Sequence, residues 1–205
     1  MDILNDLNNL ICAVVLASGN ASRMHKNKLL LPLNQRVMVD YALQMAALPV
    51  FHKAFVVTCY PEIEALANQR GMSVVWNTHA NDGQSASVVL GAKAVSDTES
   101  AAVMFFNGDM PYLQPDTVLK LVRAFYDTGR IIVPTYGKRP GNPVLFPSCY
   151  IPELMTLTGD VGGRKVLRAH PEAVVYVPVE DVREGMDLDD EIRYKEAEAY
   201  FNEHQ

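Results

Sequence analysis

Three cations follow the first apolar run of the chain, just after the glycine that ends it. The run covers residues 11–17, Ser18-Gly19 close it, and Arg23, Lys26 and Lys28 come next. A glycine turn exposes backbone N–H groups and lets phosphate oxygens approach closely. Arg23 and Lys28 would then supply the charge that holds a triphosphate. A surface turn with solvated cations fits the same residues, because short glycine motifs often occur by chance.

A carboxylate closes another apolar run, in the segment Asn107-Gly108-Asp109-Met110-Pro111. An acid at the end of a buried strand suits Mg²⁺, because that ion prefers hard oxygen ligands. Asp109 is therefore a candidate metal ligand. A carboxylate at this place can also simply cap the turn that follows the strand, and Asp109 alone does not separate the two interpretations.

Two further carboxylates lie near the end of the sequence, in "GMDLDDE". Asp187 and Asp189 are two positions apart, so in an extended segment both side chains point to the same side. Together with Asp109 and the cations of the first loop, they would suit a nucleotidyl-transfer site. Acids are also common at helix N-termini, where they interact favourably with the helix dipole. Asp190 and Glu191 fit that explanation better.

The elements that must position these residues alternate between strands and helices. Apolar runs typical of buried parallel strands cover 11–17, 53–60, 72–77, 101–107, 130–136, 143–146 and 173–179. Helical spacing and end signals predict helices over 37–48, 61–71, 84–95 and 114–129, from about 151, and after the acidic segment near the C-terminus.

This alternation predicts an α/β fold, a mainly parallel twisted sheet with helices on both faces and right-handed crossovers. After about residue 138 the pattern becomes irregular and predicts a β-containing excursion. Ligands bind such sheets at the carboxyl ends of the strands. Gly19 and Asp109 both fall at strand ends, so we expect them to lie at the same edge.

Length and composition limit the other possibilities. A chain of 205 residues fits one domain spanning 1–205, in which 1–10 form an N-terminal extension. The formal net charge of −6 argues against a large nucleic-acid-binding face, although a few cations can still hold a small phosphate ligand. No apolar run approaches the ~20 residues of a membrane span, and the first residues do not read as a secretory signal.

The cysteines predict a reducing compartment. Cys12, Cys59 and Cys149 form an odd set without Cys-x-x-Cys spacing, which is typical of reduced, buried thiols in a cytoplasmic protein. Cys149 and Trp76 are expected to be packing residues.

Five blocks of the sequence resemble, in order, the motifs of one family. "LASGNASRM", with Lys28 and "LLPL" after it, is similar to the L-A-A-G-x-S-x-R-M-G…K…L-L-P signature of the MobA-like nucleotidyltransferases. "NGDMP" resembles their G-D-M-P motif, "GNPVLF" and "GDVGGRKVL" resemble two further blocks, and "MDLDDE" resembles a degenerate D-I-D-T-P-E-D element. The match runs from about residue 11 to 192. Five blocks in order are far more specific than any one of them.

The resemblance implies a Rossmann-like nucleotidyltransferase that depends on Mg²⁺. It makes Lys28, Arg23 and Asp109 the expected catalytic residues and Asp109 and Asp189 the metal ligands, with Asp187 open as an alternative to Asp189. The expected nucleotide-binding residues are Leu16, Ala17, Ser18, Gly19, Asn20, Ser22, Arg23, Lys28, Gly83, Ser87 and Gly108. The expected acceptor-binding residues are Asn142, Asp160 and Arg164, and an ordinary helix start explains Asp160 nearly as well. Ser85 lies between Gly83 and Ser87, where N–H groups and hydroxyls could hold base, ribose or phosphate, and an ordinary N-cap explains it nearly as well.

Two positions favour the cytidylyltransferase branch that serves the molybdenum cofactor. Guanylyltransferase relatives usually read L-A-G-G in the first block and C-D-M-P in the second, whereas this chain has Ser18 and Gly108. The resemblance then implies transfer of CMP from CTP to the phosphate of molybdopterin or molybdenum cofactor, with release of pyrophosphate. The implied protein partner is a molybdenum hydroxylase of the xanthine dehydrogenase type or its chaperone, with no nucleic acid and no membrane.

Three alternatives stay open. The chain could use GTP on the same pterin, use another small phosphorylated acceptor, or act as a carrier of the finished cofactor. For the choice of base we expect Ser18 to matter, because its Cβ fills space that a glycine would leave for a purine and its hydroxyl could bond the polar edge of a pyrimidine. The alternative is that Ser18 only completes the turn.

Overall fold

The structure is a computed structural model of the chain and describes residues 10–19, 27–80, 83–159 and 162–203. The strands are β1 (Ile11–Ala17), β2 (Pro32–Leu33), β3 (Arg36–Val37), β4 (Lys53–Thr58), β5 (Ser73–Trp76), β6 (Ala102–Asn107), β7 (Ile131–Tyr136), β8 (Arg139–Pro140), β9 (Val144–Pro147) and β10 (Val174–Val179). The α-helices are α1 (Met38–Ala46), α2 (Pro61–Gln69), α3 (Gln84–Ser96), α4 (Pro115–Thr128), α5 (Ile151–Leu154), α6 (Arg164–Ala169) and α7 (Glu191–Glu203). Short 3-10 helices cover Lys28–Leu30, Ser148–Tyr150, Pro171–Ala173 and Val182–Gly185.

Within these residues the strands form one mixed sheet and a small hairpin. The sheet order is β10-β7-β9-β6-β1-β4-β5, with β8 paired to β7, and β2 pairs with β3 separately. β1, β4, β5 and β6 run parallel, as do β7 and β10, whereas β9 is antiparallel to both of its neighbours. The carboxyl ends of the parallel strands therefore lie at one edge of the sheet.

The predicted fold class is confirmed. The sheet is mainly parallel with helices on both faces, and the excursion predicted after about residue 138 consists of β8 and β9. The hairpin β2–β3 and the strand β8 were not predicted, because two-residue strands are too short to show a periodic pattern.

Alternate residues of the central strand pack into two separate cores. Ile11, Ala13 and Val15 of β1 belong to one apolar cluster, with side chains of α1, α2 and α4. Cys12 and Val14 belong to a second cluster, with side chains of α3, α5 and α6. Successive side chains of a strand point to opposite faces, so the uninterrupted apolar run of β1 is the signature of a strand covered on both sides.

A third, smaller cluster covers the side of the sheet edge where the hairpin lies. It buries Leu33, Met38, Tyr112, Leu188 and Ala197, and so joins the hairpin, α1, the segment after β6 and α7. In the described part of the chain no helix is long and apolar enough to cross a membrane.

The packing expected for three residues is wrong. Trp76 is 47% exposed, because it ends β5, which has a neighbouring strand on one side only. Cys149 is exposed in the turn after β9, and Cys59 is only partly buried after β4. Of the three cysteines, all of them free thiols, Cys12 alone is buried in a core as expected.

A helix glycine sets the distance between α3 and the sheet. An added Cβ at Gly91 would lie 2.6 Å from Val14 Cγ1 and 3.1 Å from Phe105 Cε1. We predict that Gly91→Ala lowers the free energy of unfolding by about 1–2 kcal/mol, the cost of overpacking less the gain in helix propensity. Lys93→Ala, on the exposed side of the same helix, should change it by less than about 0.5 kcal/mol. Chemical denaturation measures both, and a stabilised Gly91→Ala protein would contradict the contact.

Candidate active site

Lys28 lies between two carboxylates from distant parts of the chain. Its Nζ is 2.6 Å from Asp109 Oδ2 and 2.7 Å from Asp189 Oδ1. The lysine begins a short 3-10 helix, in which the Asn27 side chain accepts the Leu29 N–H and Leu29 is buried. The structure therefore brings together three residues that the sequence predicts for the site.

Charge and burial act against each other in this group. Burial by itself would lower the pKa of Lys28, but the carboxylates of Asp109 and Asp189 outweigh it, so the pKa is raised above its ordinary value. The pKa of Asp187 is also raised, first by burial and then by the negative charges of Asp109 and Asp189. Asp187 therefore interacts electrostatically with the cluster of Lys28, Asp109 and Asp189.

Backbone contacts hold Asp109, which follows β6, beside the end of β1. The Gly108 N–H donates to the Leu16 carbonyl at 3.1 Å, and the Asp109 carbonyl accepts the Leu188 N–H at 3.3 Å. A Cβ at Gly108 would lie 3.2 Å from the Leu16 oxygen and 3.3 Å from Leu29 Cδ2. A side chain at this position would therefore need the Leu16 carbonyl and the Leu29 side chain to shift by a few tenths of an ångström, whatever base the site accepts.

The segment that carries Asp187 and Asp189 is anchored by the residue between them, Leu188. Leu188 is fully buried in the third cluster, while Asp187 and Asp189, on either side of it, face Lys28 and Asp109. Beyond this segment, α7 is held by the Tyr194 hydroxyl, which donates to the Pro32 carbonyl, and by the Phe201 ring, stacked on Tyr112 with 5.3 Å between centroids. The predicted i, i+2 arrangement of the two acids is therefore maintained by packing.

One cavity, of about 430 Å³, lies beside the first strand end. Its lining residues come from the ends of β1 and β6, from the Lys28 segment, from the chain after β5 and from the start of α3; they are Leu16, Ser18, Gly19, Lys28, Leu29, Ala80, Gly83, Gln84, Ser87, Asn107, Gly108 and Asp109. Helix N-termini and lysines both favour anions. The cavity therefore suits a phosphorylated ligand, and it contains every expected nucleotide-binding residue of the described chain except Ala17, which is buried in the sheet.

Two serines of this cavity already use their hydroxyls. Ser18 is 3% exposed, and its Oγ donates to the Val57 carbonyl at 3.0 Å. Ser87 Oγ accepts from Asn77 Nδ2 at 3.1 Å. The Ser18 hydroxyl hydrogen is thus engaged with the sheet, so the hydroxyl can meet a base only through its oxygen, as an acceptor. The expectation that Ser18 affects the choice of base stays a prediction, and it rests mainly on the space that the Cβ fills.

Some expected site residues lie outside the described residues. These are Asn20, Ser22 and Arg23 of the first loop, and Asp160 of the acceptor block. Their assignments stay predictions from the sequence.

A second cavity, of about 610 Å³, adjoins the first. Asn142 and Arg164, both expected to bind the acceptor, lie in its wall, and Arg168 joins them one helical turn after Arg164. Much of the remaining wall is apolar or aromatic, including Phe105, Val133, Val144, Phe146, Leu167 and Tyr176. Two guanidinium groups beside apolar walls suit a ligand with an anionic group and a flat, weakly polar body.

The two cavities share Leu16, Gln84, Asn107 and Asp109. Asp109 is therefore the charged residue that borders both, while Asp187 borders the second cavity alone. Ligands in the two cavities would meet at this shared wall.

Several of these residues were missed by the sequence reasoning. Arg168 carries one usable signal, its i, i+4 spacing from Arg164 on a short helix. Asn107 begins the "NGDMP" block and Gln84 lies between the expected residues Gly83 and Ser87, so their neighbourhood could be predicted although their own part in the site was not. Tyr176 carries no signal, because it lines the site only through the placement of β10.

The donor set fits a divalent cation that is held jointly with a nucleotide. Asp109 and Asp189 both reach the Lys28 ammonium, so their oxygens converge on one region. Among the described residues, no group of three or more His, Cys, Asp or Glu side chains is arranged to hold a metal ion alone. Mg²⁺ is usually bound through one or two carboxylates plus substrate phosphates, and Asp109 and Asp189 can supply that share.

The fold and the site define a nucleotidyltransferase of Rossmann-like architecture. The family model of the MobA-like NTP transferase domain matches residues 13–174. The chain belongs to this family, as its sequence blocks predict.

Two relatives and one solved structure illustrate the similarity. The chain is 29% identical to the molybdenum cofactor cytidylyltransferase of Escherichia coli (strain K12), over 66% of this chain and 69% of that protein. It is 27% identical to the nicotine blue oxidoreductase of Paenarthrobacter nicotinovorans, over 87% and 92% of the two chains. A nucleotidyl transferase from Methanothermobacter has a TM-score of 0.82 at 20% identity, covering 96% of this chain and all of that one, which shows a common fold.

The anchoring of the acidic segment leads to a prediction about metal dependence. Leu188→Ala should leave a cavity in the third cluster and loosen the segment that carries Asp187 and Asp189, so the Mg²⁺ concentration needed for half-maximal turnover should rise about tenfold or more. Leu121→Ala removes an equally buried leucine from α4 in the main core. That control should lose stability without changing the Mg²⁺ requirement. Equal Mg²⁺ dependence in both variants and wild type, assayed well below their melting temperatures, would contradict the positioning by Leu188.

Proposed function

We propose that this protein transfers CMP from CTP to the phosphate of molybdopterin or molybdenum cofactor and releases pyrophosphate. The observation that carries the proposal is the pair of adjoining cavities with Asp109 at their shared wall. One cavity is lined by a glycine turn and Lys28, the other by two arginines and aromatic rings. Such a pair fits a nucleotide on one side and a phosphorylated ring compound on the other.

The proposed reaction needs positioning and charge neutralisation more than acid–base chemistry. An oxygen of the acceptor phosphate attacks the α-phosphorus of CTP, the bond from that phosphorus to the bridging oxygen breaks, and pyrophosphate leaves with the electron pair. The attacking phosphate is already an anion at neutral pH, so no strong general base is required. Catalysis then rests on holding the two phosphates together and stabilising the negative charge.

The residues of the site have separate roles in this scheme. Lys28 neutralises the triphosphate, and Arg23 of the first loop is expected to assist it. Arg164 and Arg168 hold the acceptor phosphate, while the aromatic wall receives the ring system. Asp109 and Asp189 would hold Mg²⁺, which when bound supplies further positive charge to the phosphates.

The similarity to the molybdenum cofactor cytidylyltransferase of Escherichia coli supports the choice of nucleotide and acceptor. Nicotine blue oxidoreductase is a relative with a redox name, and one fold can carry unrelated activities. For this chain the Lys28–Asp109–Asp189 cluster favours phosphoryl chemistry, because such chemistry develops the negative charge that a lysine and a metal neutralise. The product would be passed to a molybdenum hydroxylase of the xanthine dehydrogenase type or to its chaperone.

The nucleotide is tested by pyrophosphate release with CTP, GTP, ATP and UTP in turn, each with molybdenum-loaded pterin. We expect CTP to be preferred by roughly tenfold to a few hundredfold. Ser18→Gly should relax the preference, because it opens space for a purine. Ser18→Ala keeps the Cβ and should retain the preference, since the hydroxyl hydrogen is bonded to Val57. Equal use of GTP and CTP by the wild-type protein would contradict the cytidylyl assignment.

The charged cluster gives a second prediction. Asp109→Asn keeps the shape and removes one charge, so turnover should fall about a hundredfold or more, the effect of a few kcal/mol on the transition state. Lys28→Ala should lower kcat more than it raises the nucleotide KM if the lysine follows charge that develops in the transition state. Steady-state kinetics at saturating Mg²⁺ measure both.

Lys120→Ala is the matched control for Lys28. Lys120 Nζ donates to the Pro178 carbonyl, away from both cavities, and its loss should leave kcat and KM unchanged. Turnover within about twofold of wild type in Asp109→Asn would remove Asp109 from the site, because the proposed reaction needs the charge of that carboxylate at the metal.

A further inference from the structure

Side chains at the end of β4 bond to three successive carbonyls at the end of β1. Thr58 Oγ1 donates to the Ala17 carbonyl at 3.0 Å, and the Tyr60 hydroxyl donates to the Gly19 carbonyl at 3.1 Å. Between them the Cys59 thiol contacts the Ser18 carbonyl, with 3.9 Å between sulfur and oxygen. The start of the first loop therefore faces β4 with its carbonyl oxygens.

This arrangement determines where the N–H groups point. A peptide group is planar and trans, so its N–H points opposite to its carbonyl. Because the carbonyls of Ala17 and Ser18 face β4, the N–H groups of Ser18 and Gly19 point away from β4. In the sheet order β4 and β6 flank β1 on opposite sides, and the segment after β6 carries Asp109. The N–H groups thus point to the side where the smaller cavity lies.

Within this turn, the backbone conformation at Gly19 depends most on contacts from outside the turn. Glycine has the widest backbone freedom, and a side chain there would meet no described atom within 4 Å. A free peptide after Gly19 could rotate and turn its carbonyl oxygen towards the cavity. A carbonyl oxygen repels phosphate, whereas an N–H group attracts it.

We propose that Tyr60 is a positioning residue for triphosphate binding, through its hydrogen bond to the Gly19 carbonyl. The hydroxyl keeps that oxygen on the β4 side, so the turn is already arranged to receive phosphate when the nucleotide arrives. Tyr60 itself does not line either cavity. The inference rests on the proposed function only in requiring that the smaller cavity takes a triphosphate.

Tyr60→Phe tests the proposal, since it removes the hydroxyl and retains the ring. Binding of CTP and of inorganic tripolyphosphate is measured by calorimetry at fixed Mg²⁺. Losing one hydrogen bond should raise the Kd of each ligand by roughly three- to tenfold. The rise should be the same for CTP and for tripolyphosphate, because tripolyphosphate contains only the part of CTP that meets the turn. In turnover assays the nucleotide KM should rise while kcat and the acceptor KM change little.

Tyr41→Phe is the matched control, because the Tyr41 hydroxyl donates to the Leu33 carbonyl at 3.0 Å and lines neither cavity. It should bind both ligands as wild type does. Wild-type affinity for both ligands in Tyr60→Phe would overturn the proposal. So would weaker CTP binding with unchanged tripolyphosphate binding, since Tyr60 would then act on the base or ribose. If wild type binds CTP without releasing pyrophosphate, only the proposed function fails.

Discussion

The ammonium of Lys28 is the interaction on which the site depends. It joins residues 81 and 161 positions away along the chain, Asp109 and Asp189, at a place where the lysine side chain is 25% exposed. Two carboxylates held this close repel each other, and removing the cation between them would leave that repulsion uncompensated. The same ammonium is the group that a triphosphate would attract. Its role in holding the apo site together is thus in direct competition with its role towards a ligand.

That competition requires the carboxylates to keep their places by other means. Asp109 is held by its own backbone, through the Gly108 N–H and the Asp109 carbonyl. Asp189 is 47% exposed and depends on Leu188, whose burial ties the segment to the hairpin and α7. Because these anchors do not involve Lys28, a shift of the lysine towards phosphate need not release the acids. The acids can therefore stay fixed while the ammonium moves, since the lysine side chain has a flexible four-carbon stem.

Some residues of the site could be predicted from the sequence, whereas others could not. β1 and β6 are strong apolar runs that end in glycine turns, so Lys28 and Asp109 could be expected near one edge of a parallel sheet. Tyr176 could not, because its part in the cavity depends on how β10 packs beside strands that are distant in the chain. Trp76 was misjudged for a related reason: an apolar strand at the edge of a sheet reads like a central one. Tyr60 was overlooked because a side chain that bonds a loop carbonyl leaves no local pattern.

The position of β9 explains how the described site comes to have a second cavity beside the first. β6 and β7 run in the same direction but are not neighbours, because β9 lies between them in the opposite direction. Adjacent strands are about 4.8 Å apart, so β7 stands roughly 10 Å from β6. β9 enters the sheet at the edge where β6 and β7 end, and the chain before it, with Asn142, therefore lies at that edge. The reversed strand thus widens the ligand-binding edge beyond β6, and the wall residues Val133, Val144 and Phe105 come from the three strands involved. A parallel strand at this place would bring its amino end to the opposite edge, and the loop that carries Asn142 would leave the site.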